Sequence, residues 1–149
     1  MATRSTIAIE LADGTVKQVY CHWDGYLDHN GQILINHYKD AAKVESLVAL
    51  GSISSLRNNV GEKHDFDNTD DARENKWTTA YHRDRGEDLH VNTYSNFEAY
   101  KIDHQYEEYD YIMRNTGEWF VSKYSEDYVP LADAIAAELH DHEMEETDD

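Results

Sequence analysis

Apolar and polar positions alternate in two places along the chain with a turn signal between the runs, and each place predicts a β-hairpin. Thr6 to Leu11 and Val16 to Trp23 flank Asp13-Gly14, a pair that tolerates the left-handed backbone of a tight hairpin turn. Tyr109 to Arg114 and Glu118 to Tyr124 flank Asn115-Thr116-Gly117, with Trp119 and Val121 on one side of the second strand. Between the hairpins the period changes. Gln32 to Tyr38 reads as a short helix after Asp28-His29-Asn30-Gly31, and Asp40 is placed to cap a helix in which Ala41, Val44, Leu47 and Val48 recur at helical spacing before Gly51 stops it. Residues 58–76 are polar and rich in Asp and Asn, the composition of a loop or mobile excursion. Trp77 to His82 and Leu89 to Tyr94 read as short strands around the charged turn Arg83 to Asp88. Pro130 suits the first turn of a last helix, in which Leu131, Ile135 and Leu139 form an i, i+4 stripe padded by alanines. The expected fold class is α+β: an antiparallel sheet built from hairpins, with two or three helices including a C-terminal one.

Charge divides the chain where periodicity does not. Residues 1–60 hold 5 basic and 6 acidic side chains, and residues 61–149 hold 8 and 25, so nearly all of the net charge of -18 lies in the second part. Pro130 is the sole proline and no Gly/Ser-rich tract intervenes. The expectation is therefore one domain over 1–142, near-neutral over 1–60 and acidic over 61–142, with 143–149 as an acidic disordered tail. Such a charge repels phosphate backbones and anionic membranes, which argues against direct nucleic-acid or membrane binding. With 40% apolar residues, 3 Trp and 11 Tyr the chain has the material for a core. No stretch has the roughly 18 apolar residues of a membrane span, the N-terminus lacks a signal-peptide apolar region, and Cys21 has no second cysteine to pair with. A cytoplasmic location is expected.

The acidic part interleaves carboxylates with tyrosines, and this is the strongest chemical signal. Glu98, Asp103, Glu107, Glu108, Asp110, Glu118, Glu126 and Asp127 alternate with Tyr100, Tyr106, Tyr109, Tyr111, Tyr124 and Tyr128. Carboxylates on a rigid scaffold compete for the Lys and Arg groups with which a DNA-binding protein grips phosphate, and tyrosines add contact area and faces for guanidinium groups. The competing reading is a solvated face that keeps the protein in solution. Partner-binding residues are accordingly expected among these carboxylates together with Tyr106, Tyr109 and Tyr111.

Other constellations carry less. Asp65, Asp67, Thr69 and Asp71 alternate like oxygen ligands, but the positions that a calcium loop reserves for Gly and a bidentate Glu hold Asp70 and Lys76. His22, His29 and His37 match no zinc spacing, and His22 and Cys21 on one strand point to opposite faces. His140-Asp141-His142-Glu143 lacks the i, i+4 spacing of a helical metal pair. Cys21 beside a histidine is the one conceivable nucleophile, and no serine elbow, phosphate loop or dinucleotide fingerprint occurs. Neither metal nor cofactor is expected, and the chain reads as a non-enzyme.

Ser5-Thr6-Ile7-Ala8, Asp13-Gly14-Thr15-Val16 and Val19-Tyr20-Cys21-His22-Trp23-Asp24-Gly25-Tyr26, continued by Gly31, Leu34, His37-Tyr38, Lys43-Val44, Leu47 and Leu50-Gly51, resemble a family of small proteins encoded by bacteriophages and bacterial mobile elements. The resemblance covers about the first 60 residues and brings no site residues with it. It implies a phage origin, and by analogy of charge and size the chain is similar to acidic inhibitors that mimic DNA. The function expected is inhibition of a host nucleic-acid-binding defence enzyme, of restriction or CRISPR type, by occupation of its basic channel. The partner is then that protein or nuclease complex and not nucleic acid itself. The alternative is a protein-interaction module that grips its partner with Tyr20, Trp23 and Tyr26, and a third reading is a small hydrolase or metal-dependent enzyme.

Overall fold

A computed structural model describes residues 2–147 of the chain. β1 (Ser5–Glu10) and β2 (Val16–Cys21) form the first hairpin; its turn closes through Leu11 N–H on Thr15 O at 2.8 Å, with Gly14 at φ 93. A single π-helical turn (Leu27–Gly31) leads into α1 (Gln32–His37), and α2 (Ala41–Val48) starts where the Asp40 carboxylate accepts the Ala42 N–H at 3.1 Å. β3 (Ile53–Ser55), α3 (Asp70–Asn75), β4 (Thr79–Ala80), α4 (Tyr81–Arg85), β5 (Asn92–Tyr94) and α5 (Phe97–Asp103) follow. β6 (Tyr109–Met113) and β7 (Trp119–Lys123) are the second hairpin, and β8 (Val129–Pro130) runs into α6 (Leu131–Thr147).

The eight strands make one sheet in the order β4-β3-β2-β1-β6-β7-β8, with β5 on the same side of β2 as β3. It is mixed, which corrects the expected antiparallel sheet. β1 and β6 run parallel with Ser5 opposite Tyr109 and Ile9 opposite Met113, and β2 and β3 are also parallel. Alternation within a strand is the same for either pairing, and here the long connection from β2 to β6 lets the two hairpins meet side by side through their first strands. Among the described residues the six α-helices outnumber the two or three expected, because α3, α4 and α5 span only 6, 5 and 7 residues, too few to display an apolar period.

The main core lies on one face. Ile7, Ile9, Val19, Cys21, Tyr111, Met113, Trp119 and Val121 pack there against Leu34, Tyr38, Val44, Leu47 and Leu131. The other face of β1, β2 and β6 is covered as well, by α5, so Ala8, Val16 and Ile112 pack with Tyr100 and, at the margin, Tyr94, Phe97, Phe120 and Tyr128. Every residue of β1 and β6 is consequently buried. In α6 the buried side is Leu131 and Ala134, whereas Leu139 is 55% exposed. The α6 backbone stays helical to Thr147, through most of the stretch expected as a disordered tail, since Glu and Met are good helix formers. Asp148 and Asp149 lie outside the described residues.

Residues 58–76 are ordered by their ends. Asn59 N–H donates to Lys76 O and Thr78 N–H to Asn59 O, both at 2.9 Å. The buried Asp84 carboxylate then ties the region together: it accepts Arg83 Nε at 3.0 Å, Ala80 N–H at 2.8 Å and His64 N–H at 3.1 Å, while Arg83 also reaches Val60 O.

Gly25, between β2 and the π-helical turn, has a steric reason for its identity. A Cβ there would lie 2.7 Å from Ser5 Cβ and 2.8 Å from Thr3 O, because Gly25 N–H bonds Thr3 O and Gly25 O accepts the Tyr111 hydroxyl at 2.6 Å. Gly25→Ala is expected to cost roughly 2 kcal/mol of unfolding free energy, as overpacking of a closed site does. Urea denaturation followed by circular dichroism measures it, and a loss under about 0.5 kcal/mol means that the strand end yields freely.

Candidate functional site

The register brings remote segments to one end of the sheet. Cys21, Ser5, Tyr109 and Lys123 stand in a row across β2, β1, β6 and β7. Just past that row come His22-Trp23-Asp24 from β2, Arg4 before β1, Tyr106-Glu107-Glu108 before β6, and Tyr124-Ser125-Glu126-Asp127 after β7. The last two segments are tied by Tyr124 N–H on Glu108 O at 2.8 Å, and the turn after β7 puts Tyr124 and Ser125 at positive φ. This rim carries Glu107, Glu108, Glu126 and Asp127, along with the cations Arg4 and Lys123. Glu126 and Asp127 are exposed, and Glu107 and Glu108 half-buried.

Aromatic groups share the rim. Trp23 is 43%, Tyr26 39% and Tyr124 62% exposed. His22 holds Trp23 edge-on with ring centroids 4.6 Å apart and is itself fixed by the Tyr20 hydroxyl at 2.8 Å from its Nδ1. A flat, preorganised indole at the same end of the sheet as the carboxylates is suited to a guanidinium-bearing partner.

The rest of the expected acidic and tyrosine set is dispersed. Asp110, Tyr109, Tyr111 and Tyr100 are buried, which corrects their assignment to a binding surface. Neighbouring strand residues point to opposite faces, so Tyr109 and Tyr111 enter the main core and Asp110 the opposite side, and neither direction meets solvent. Glu118 adjoins the β6–β7 turn at the far end of the sheet. Glu98 pairs with Lys101 on α5 at 3.2 Å, and Asp103 closes α5 on the outer face.

Beneath the rim, on the outer face, lies a buried polar network that sequence reasoning missed. Thr6 Oγ1 donates to Asp110 Oδ1 at 2.7 Å, and Gln18 Nε2 donates to Thr6 Oγ1 at 3.1 Å. Gln18 Nε2 also lies 3.3 Å from His104 Nδ1, while His104 Nε2 is 3.0 Å from the Tyr128 hydroxyl, itself 2.7 Å from that of Tyr100. Both Asp110 oxygens face the Glu107 N–H, at 3.3 and 3.1 Å. Burial pushes Asp110 up to about 7, and the Glu107 carboxylate adds to the rise, against the lowering effect of the Thr6 and Glu107 hydrogen bonds. Burial holds His104 below its usual value. Only the polar identity of Thr6, Gln18 and Asp110 inside strands offered a signal for this network.

Cys21 is fully buried against Asn30, and burial raises its thiol to about 11, which leaves no thiolate nucleophile near neutrality. Among the described residues no three His, Cys, Asp or Glu side chains converge as a metal-binding group, and no helix is long and apolar enough to cross a membrane. No protein-family model matches the chain, and no curated protein or solved structure matches it either.

Proposed function

We propose that this chain is a phage-encoded inhibitor that occupies the basic channel of a host nucleic-acid-binding defence enzyme with carboxylates in place of phosphates. The observation that carries the reading is the convergence of Glu107, Glu108, Glu126 and Asp127, from two separate segments, on the same end of the sheet as the exposed Trp23 and Tyr124. Carboxylates held by a hydrogen-bonded sheet end lose little entropy on binding, and a basic groove recovers interactions that it otherwise makes with phosphate. The acidic excess of residues 61–149 steers such a groove toward the chain from a distance.

An affinity pull-down from nuclease-treated bacterial lysate, eluted in steps of rising salt, tests the reading. The expected result is a nucleic-acid enzyme that salt releases and DNA displaces, because the screening length falls from about 10 Å at 0.1 M to about 3 Å at 1 M. A partner retained at high salt and indifferent to DNA supports instead an interaction module centred on Trp23 and Tyr26, a reading favoured by the exposure of both rings. Trp23→Ala separates the two: it removes a surface ring, so circular dichroism is expected to stay unchanged. Binding through the aromatic module then falls by more than tenfold, and binding through the carboxylates by less.

A further inference from the structure

The core face of the sheet is not closed over its whole length. Where β1 and β2 approach their turn, a cleft of about 560 Å³ opens between the last turn of α2 and residues 89–93. Its lining is mostly aliphatic: Ile9 and Leu11 from the β1 end, Val48 from α2, and Leu89 and Val91 from the chain leading into β5. Gly51 keeps that chain close to the helix end, for it lies at φ 79 and a Cβ there would meet Leu89 Cδ1 at 2.7 Å. Sites for small organic molecules run to roughly 300–1,000 Å³ and combine apolar walls with a few polar groups. One lining residue breaks the aliphatic pattern. Lys17 shares the face of Val19 and Cys21, since residues two apart on a strand point the same way, and it stands opposite Ile9 on one side and Thr93 on the other. A position in the apolar row of β2 thus carries an ammonium. Among the described residues Lys17 forms no ion pair. The nearby Asp13 carboxylate is turned onto the Thr15 N–H, at 2.9 Å.

We propose that this cleft binds a medium-chain aliphatic carboxylate, with the alkyl chain on Ile9, Leu11, Val48 and Val91 and the carboxylate on the Lys17 ammonium. Each part of such a ligand meets its counterpart. The chain covers aliphatic surface that α2 leaves open, and the carboxylate accepts from a cation beside the Thr93 hydroxyl. A lysine suits the junction, because its long stem is apolar and only its tip is charged. Glu45, the other charged residue of the lining, is exposed on α2, where water screens it. The net charge of -18 opposes any anion at long range, but at physiological salt charges more than about 8 Å away are screened. The cleft and the rim lie at opposite ends of β1, so this site holds whatever the rim binds.

Titration of the full chain with octanoate, followed by amide and methyl resonances, provides the test. Saturable shifts are expected at Leu11, Lys17, Val48 and Val91, with an affinity that rises by about threefold per methylene from hexanoate to decanoate. Lys17→Met keeps an apolar stem and removes the charge. It is expected to weaken octanoate binding by about tenfold and to leave octanol binding unchanged. Ala49→Trp, at an exposed position of the lining, fills the cleft and abolishes both. The proposal is overturned by an absence of cleft shifts at millimolar octanoate, by octylamine shifting the same resonances as tightly, or by an octanoate affinity indifferent to Lys17→Met. Cleft resonances that move with protein concentration alone overturn it too, since a second copy of the chain then covers the face.

Discussion

Replacing Glu107, Glu108 and Asp127 together with Lys is expected to weaken binding of a basic partner by on the order of 100-fold, whereas Glu118→Lys leaves it within about twofold. The three reversals all fall on the rim past the Ser5–Tyr109 row, where they turn attraction into repulsion at short range. Glu118 lies opposite Arg114 past the other end of β6, six residues from Glu108 and so about 20 Å away along the strand at ~3.3 Å per residue, well over one screening length at physiological salt. Asp110 is left out of the set on structural grounds. A lysine in its fully buried place would bring a charge with no carboxylate aimed at it and would test folding, not binding. Titration by calorimetry or surface plasmon resonance against the captured partner measures the effect. Equal losses from the rim triple and from Glu118→Lys would show that bulk charge, and not an ordered surface, is what the partner reads.

Asp84→Ala is expected to have the largest effect on stability, about 3 kcal/mol, which for a chain of this size lowers the melting temperature by roughly 10 °C. The Asp84 side chain is completely enclosed, and its removal leaves Arg83 Nε and the backbone N–H groups of Ala80 and His64 without the acceptors that its two oxygens provide. Arg83 Nη1 on Val60 O and His64 Nε2 beside Thr79 Oγ1 join the same network, so the loss reaches the whole 58–85 excursion. Melting followed by circular dichroism gives the size of the loss. Amide exchange should locate it at residues 59–80; a change of less than about 1 kcal/mol would mean that water replaces the carboxylate without penalty.

How much of this was legible in the sequence varies from element to element. Asp13-Gly14 and Asn115-Thr116-Gly117 announced both hairpins, because a tight turn places a local demand on φ that only a few residue types meet, and Gly14 and Gly117 do sit at φ 93 and 87. Asp40 announced α2 for an equally local reason, its carboxylate being within one turn of the N–H that it caps. The region from 58 to 94 was harder to read. The shortness of α3 and α4 suppresses any periodic signal, and their order comes from Asp84 and Arg57, whose hydrogen bonds join residues about twenty positions apart.

The candidate site was legible in its chemistry and not in its membership. An acidic, tyrosine-rich second half was evident from charge alone, yet Tyr109, Asp110 and Tyr111 cannot share a surface, since consecutive strand residues face opposite ways. Both faces turned out to be covered, one by the main core and one by α5, and no pattern within β6 tells a residue what a helix from elsewhere in the chain will do.

Sequence by itself determined the hairpins, the α2 cap, the Leu131 and Ile135 part of the α6 stripe and the charge imbalance, while Leu139 of that stripe stays exposed; each of the former depends on neighbours within one or two turns or on composition. Tertiary structure alone decided the parallel pairing of β1 with β6. Through that pairing it gathered Trp23, Glu107, Glu108, Tyr124 and Asp127 at one end of the sheet and sealed Asp110 beside Thr6 and His104. Those outcomes depend on which distant segments cover which face, and burial, unlike a turn or a cap, is a property of the whole packed chain.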